Sequence, residues 1–165
     1  MSYHRAGALQ VLCECMLKKN SCSHYNKFLR GHQGTMGTHI SALYTGLCGL
    51  LIIFLAVNVT NFRKRGVREG HADFAAMNVA IRAHGNAVEY IPIAMLLLYL
   101  AEQSGTSTLW LHILGAAFVL SRAGHAWGFI TSNGGTSKGR FLGTATTFLI
   151  IAILAVLNII RFFTA

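Results

Sequence analysis

The sequence predicts an all-α integral membrane protein, a four-helix bundle of up-down topology, and three observations predict it. Of 165 residues, 53% are hydrophobic and only 12% are charged, about half the roughly 25% charge of a soluble domain. Charge is absent from Gly31 to Phe62, from Gln103 to Ser121 and from Phe141 to Ile160, and a helix needs roughly 20 apolar residues to cross a bilayer. Lipid cannot satisfy open backbone groups, so segments of this kind must be helices. A disordered, collagen-like or disulfide-stapled chain is excluded, and a soluble one is strongly disfavoured.

Residues 1–35 differ in kind from the rest. They hold Cys13, Cys15 and Cys22, five cations and one acid, with no sustained apolar period. The run from Ala6 to Leu12 is short and no small-residue cleavage site follows, which argues against a secretory signal. Cys13, Cys15 and Cys22 with His24 could be read as a metal cluster, but Cys-x-Cys is not the usual zinc spacing; no metal site is expected. The expectation is a disordered basic tail or a mis-called start, with the working protein beginning near Met36 and a membrane domain over 36–165. That domain keeps one cysteine, Cys48, so it has no disulfide framework.

Its four spans follow from the uncharged runs and the turn residues between them. The first covers about Thr38 to Val59, before the basic cluster. The second begins near Asp73, a suitable N-cap, and continues to about Gln103. The third covers Thr108 to Ile130, and the stretch from Thr131 to Gly139, rich in Gly, Ser and Thr, is a loop. The fourth runs from Arg140 to Phe163. Within the second span, Pro92 cannot donate to the carbonyl of Val88, which predicts a kink or loosening there.

The net charge of +9, from 14 Lys and Arg against 5 Asp and Glu, is not gathered on one soluble face, and nucleic-acid binding is not expected. Arg63, Lys64, Arg65 and Arg68 lie between spans one and two, and Lys138 and Arg140 between three and four. The connection around Glu102 to Ser107 has no cation. The bias of Lys and Arg places the two basic loops in the cytoplasm, as in a bacterial inner membrane.

Ionisable groups inside a span are costly and usually functional. Arg82, Asn86 and Glu89, at i, i+4 and i+7, share one face of span two, with Tyr90 flanking it. Span three has Arg122 and His125 at i, i+3, and span four opens with Arg140. Glu89 lies 14 residues before Gln103 and Arg122 14 residues after Thr108, each roughly 21 Å along its helix. They therefore reach one depth on neighbouring antiparallel helices, nearer the cytoplasmic side, where the bland reading is a structural ion pair that fixes helix packing and the other is a binding site. Arginine forks match carboxylates, Glu89 suits an ammonium, Asn86 suits a peptide group, and a nearby cation stabilises a thiolate. Glutathione meets that description, and so do other small anionic metabolites.

The segment from Arg82 to Pro92, R-A-H-G-N-A-V-E-Y-I-P, resembles the R-A-x-x-N-x-x-E-Y-x-P signature of the MAPEG family, membrane-associated proteins in eicosanoid and glutathione metabolism. Arg122-Ala-Gly-His125 and the four-helix layout add to the resemblance, which covers about Met36 to Ala165 and is nearest to a short bacterial branch. It implies a homotrimer that binds glutathione between subunits near the cytosolic face. Arg82, Asn86, Glu89 and Tyr90 would contact glutathione, Arg122 and His125 would support or line the site, Arg140 would stabilise the thiolate, and Arg63 would be a weaker candidate for that role. Phe129 and Thr144 stand where family enzymes often place tyrosines, and Phe141 follows Arg140 where some members have a serine.

The function expected is a glutathione-dependent membrane transferase or peroxidase, with a hydrophobic electrophile or lipid hydroperoxide as second substrate. The alternative is a non-catalytic lipid-binding or scaffolding protein of the same fold. A transporter or proton relay using Glu89, Arg122 and His125 is argued against by the small span count and the absence of broken-helix repeats. A haem protein using His84 and His125 is the remaining, weaker reading.

Overall fold

Four α-helices account for most of residues 39–164, which the computed structural model describes. They are α1 (Ile40–Lys64), α2 (Phe74–Gln103), α3 (Thr108–Thr131) and α4 (Lys138–Thr164). The tail and the Cys13, Cys15, Cys22 and His24 reading lie outside the described residues. Helices of 24 to 30 residues are roughly 36–45 Å long, more than the roughly 30 Å of hydrocarbon. α1, α3 and α4 are each long and apolar enough to cross a membrane. α2 is the longest, and its greater polarity comes from the face that carries Arg82, Asn86 and Glu89.

The helix ends differ from the expected ones where basic residues can stay helical. α1 continues past Val59 to Lys64, because Arg63 and Lys64 in its last turn complement the negative end of the helix dipole. Gly66, at φ +72°, then turns the chain out of the helix. Asp73 does stand at the N-cap of α2, but its side chain makes no capping bond; its Oδ2 instead lies 3.7 Å from Arg65 Nη1 across the loop. α2 runs unbroken through Pro92. One missing amide is a local loss that the rest of a 30-residue helix absorbs.

α2 and α3 are the centre of the bundle, each packed against all three other helices. The buried core joins Leu55, Cys48 and Tyr44 of α1 to Ile91 and Leu98 of α2, Phe118 of α3, and Ile150 and Leu154 of α4. The outer faces carry the large apolar side chains, with Phe54 68%, Leu120 71% and Trp127 74% exposed. Large apolar side chains thus cover the outer faces as well as the core, which suits a lipid solvent, and the few buried polar groups are gathered inside.

Two close approaches fix the helix pairs. Gly115 of α3 lies under the Tyr44 ring of α1, leaving no room for a Cβ. Gly128 and Gly143 do the same between α3 and α4: a Cβ on Gly128 would lie 2.7 Å from the Arg140 amide nitrogen, and one on Gly143 2.6 Å from the Ser121 carbonyl. Ser137 then caps α4 and ties it to α3. Its hydroxyl accepts from the Arg140 amide at 3.2 Å and donates to the Gly128 carbonyl at 2.9 Å.

Candidate functional site

The polar groups of three helices converge on one cleft of about 390 Å³. α2 supplies Arg82, Asn86 and Glu89, with Ile81 and Gly85 between them; α3 supplies His125 and Phe129; α4 supplies Arg140. Larger grooves of about 470 and 660 Å³ lie elsewhere on the helices, lined by side chains such as Ile153 and Val156 or Leu96 and Tyr99. These are mainly apolar. The chemistry belongs to the smaller, polar cleft.

Behind the cleft sits Arg122, only 1% exposed. Among the described residues it meets no carboxylate, so the structural ion pair with Glu89 is not the arrangement found. The rotation of α2 presents Asn86 to Arg122 and leaves Glu89 exposed on the cleft side. Arg122 Nη2 donates to Asn86 Oδ1 at 3.0 Å and to His125 Nδ1 at 3.2 Å, and Nη1 donates to Thr147 Oγ1 at 3.2 Å. Thr147 passes its own proton to the Gly143 carbonyl at 2.7 Å and lies 3.1 Å from the Ser121 hydroxyl. Arg122 Nε has no partner among the described residues. A buried cation held by neutral acceptors needs each of them, because water is not there to replace a lost one.

This network orients the groups that face the cleft. Arginine only donates, so the Asn86 oxygen must face Arg122 and its amide nitrogen is left for the cleft. Arg140 is half-buried, and its guanidinium carbon lies 4.6 Å above the Phe129 ring. Its Nη1 donates to the Gly134 and Gly135 carbonyls at 2.9 and 3.0 Å. Asn133 and Gly134, at φ +49° and +80°, give the loop the turn that presents those carbonyls. The cleft thus has two guanidinium groups, an amide and an imidazole against one carboxylate. It suits a ligand with more than one negative group and a single ammonium.

Of the residues proposed from sequence, Arg82, Asn86, Glu89, His125 and Arg140 line this cleft, and Arg122 stands directly behind it. Tyr90 does not line it: the ring lies under Arg122, 5.6 Å from the guanidinium carbon, with its edge toward Phe148. Arg63 is exposed in the last turn of α1 and does not line it either. Sequence reasoning missed Thr147, Ser121 and the platform role of Phe129. Thr147 had a signal: it stands seven residues, about two turns, after Arg140 on the same face of α4, in an apolar run where a hydroxyl needs a partner.

Comparison with known proteins gives a consistent picture. A family model described as the MAPEG family matches residues 41–160. The chain is 41% identical over 91 residues to the inner membrane protein YecN of Escherichia coli K12, an alignment that covers 54% of this chain and 70% of YecN. YecN of Escherichia coli O6:H1 matches to the same extent.

Proposed function

Because the chain belongs to the MAPEG family, a family of membrane proteins in eicosanoid and glutathione metabolism, we propose that its polar cleft binds glutathione and that the protein is a glutathione-dependent membrane transferase or peroxidase. The observation that supports this most is the meeting of Arg82, Asn86, Glu89, His125 and Arg140 around one cleft. Arg82 would hold a carboxylate, Glu89 the ammonium and the Asn86 amide nitrogen a peptide carbonyl. Arg140 would stabilise the thiolate, with Arg122 holding Asn86 in place. Tyr90 and Arg63 would act from outside the cleft of their own chain.

In conjugation the thiol proton goes to solvent, sulfur attacks the electrophilic carbon, and the leaving group departs with its electron pair. With a lipid hydroperoxide, two glutathione molecules give the disulfide, an alcohol and water. The second substrate would enter from the bilayer, past lipid-facing side chains.

Glu89 and Arg82 are exposed on the outside of a single chain. A charge facing hydrocarbon is costly, so this face needs a cover, and a second copy in a homotrimer provides it. The ligand would then lie between subunits, and the basic loops would face the cytoplasm. Single cysteines at positions 69 and 106, in a cysteine-free background, test the sidedness. An impermeant reagent added to right-side-out vesicles should label the second and spare the first.

Calorimetric titration of glutathione into the detergent-solubilised protein tests the binding. Arg82→Ala and Glu89→Ala should each abolish it; unaltered binding in both would place the ligand elsewhere. The second reading, a lipid-binding scaffold, is favoured by Phe129, which puts a ring rather than a hydroxyl beneath Arg140. An aryl halide assay separates the two, because a scaffold binds glutathione without turnover.

A further inference from the structure

The cleft contains a hydrogen-bond donor whose proton is fixed by the buried network. His125 is 3% exposed, and its Nδ1 lies 3.2 Å from Arg122 Nη2. A guanidinium nitrogen can only donate, so Nδ1 must accept and carries no hydrogen. The imidazole is therefore neutral with its proton on Nε2. That nitrogen has no partner among the described residues, and His125 forms part of the cleft wall. The ring is held parallel to Phe129, with centroids 6.0 Å apart and 10° between planes.

The same Phe129 ring supports Arg140, whose guanidinium carbon is 4.6 Å from its centroid. One arm of Arg140, Nη1, is already committed to the Gly134 and Gly135 carbonyls. A thiolate beside Arg140 therefore meets a guanidinium with reduced donor capacity, and His125, held against the same Phe129 ring, offers Nε2–H as a further donor.

We propose that His125 is a catalytic hydrogen-bond donor to the sulfur of bound glutathione, and that Arg122 is the positioning residue that fixes its proton on Nε2. The proposal rests on the glutathione reading above. It assigns no base function to the ring. Nε2 already bears a hydrogen and Nδ1 is occupied, so the thiol proton leaves to solvent and the imidazole steadies the sulfur charge that remains.

Nitrogen-15 NMR of histidine-labelled, ligand-free protein reads the tautomer directly, with His125→Leu to assign the signal. The expected spectrum has an acceptor-type Nδ1 and a protonated Nε2. Ultraviolet absorbance of bound thiolate and aryl halide turnover then read the chemistry. His125→Leu should lose the thiolate band and lower kcat on the order of 10²-fold, with a glutathione Kd within a few-fold of wild type. His125→Gln, whose amide nitrogen reaches the place of Nε2, should retain most of the band. An Nδ1–H tautomer, or an undiminished band in His125→Leu, overturns the assignment while leaving glutathione binding intact. Failure of the wild type to bind glutathione overturns both readings, and the titration alone reveals that case.

Discussion

Arg122 Nη2 donates to Asn86 Oδ1 at 3.0 Å, joining α3 to α2 in the bundle interior through a charged donor and a neutral acceptor. The contact does two things at once. It supplies one of three acceptors to a guanidinium that is 1% exposed, and it turns the Asn86 amide nitrogen toward the cleft. Asn86→Leu should therefore lower stability by about 1–3 kcal/mol, the cost of leaving a buried donor unmet. Asn86→Asp should fold, because a carboxylate can replace the amide oxygen. It should nevertheless weaken glutathione binding by more than about tenfold, since a second negative charge beside Glu89 repels the ligand's carboxylates. Chemical unfolding in detergent and calorimetric titration separate the two effects.

Arg140 combines a charge with a fork. One arm of the fork, Nη1, is held by the Gly134 and Gly135 carbonyls, which set the guanidinium above Phe129. Arg140→Lys keeps the charge and loses the fork, so kcat should fall while glutathione Kd changes little. Arg140→Ala should lose kcat on the order of 10²–10³-fold. Steady-state kinetics with an aryl halide, alongside titration, give the split between kcat and Kd. A loss confined to binding would make Arg140 a ligand-holding group only.

The extent of what sequence reveals follows from which coordinate each clue fixes. Uncharged runs and turn residues locate helices along the chain, and they placed α2 and α3 within a residue or two of Phe74–Gln103 and Thr108–Thr131. Counting residues from a loop estimates depth, and it sets Glu89 and Arg122 at one level. It does not fix rotation, and rotation decided that Arg122 meets Asn86 and not Glu89. The spacing of Arg82, Asn86 and Glu89 on one face needed only helical geometry, and these three do line one cleft. Gly143 is not legible in that sense, since its role depends on how closely α4 approaches α3, and Thr147 is legible only as a hydroxyl in need of a partner.

At the other end of the bundle, Glu102 clamps the first helix. Its carboxylate accepts from the Ile40 amide at 2.7 Å, the Ser41 amide at 3.1 Å and the Ser41 hydroxyl. The first amides of a helix lack intrahelical acceptors, His39 provides no side-chain cap, and a carboxylate at that positive end is favourable. Glu102→Ala should cost about 1–3 kcal/mol of stability, and Glu102→Gln less. Glu102 is 16 residues from Asn86 along α2, roughly 24 Å, so glutathione affinity should be unchanged in both. Unfolding midpoints and titration on the same preparations check this; a change in affinity would mean that the two ends are coupled.

Gly143 is where packing and chemistry meet. A Cβ there would lie 2.6 Å from the Ser121 carbonyl and 2.7 Å from His125 Cβ, and the Gly143 carbonyl accepts from Thr147, which in turn accepts from Arg122. Gly143→Ala must therefore push α4 away from α3 at the level of His125. Overpacking of this kind costs about 1–3 kcal/mol, and the shift also lengthens the Thr147–Arg122 contact. The variant should lose both stability and thiolate absorbance. Gly46→Ala and Gly49→Ala are the controls, since a Cβ at either meets nothing within 4 Å. In a helix they should be neutral or stabilising by up to about 1 kcal/mol, with the thiolate band unchanged. If Gly143→Ala lost stability but kept the band, the close α3–α4 approach would serve folding alone, and the orientation of His125 would have to come from Arg122 without help from α4.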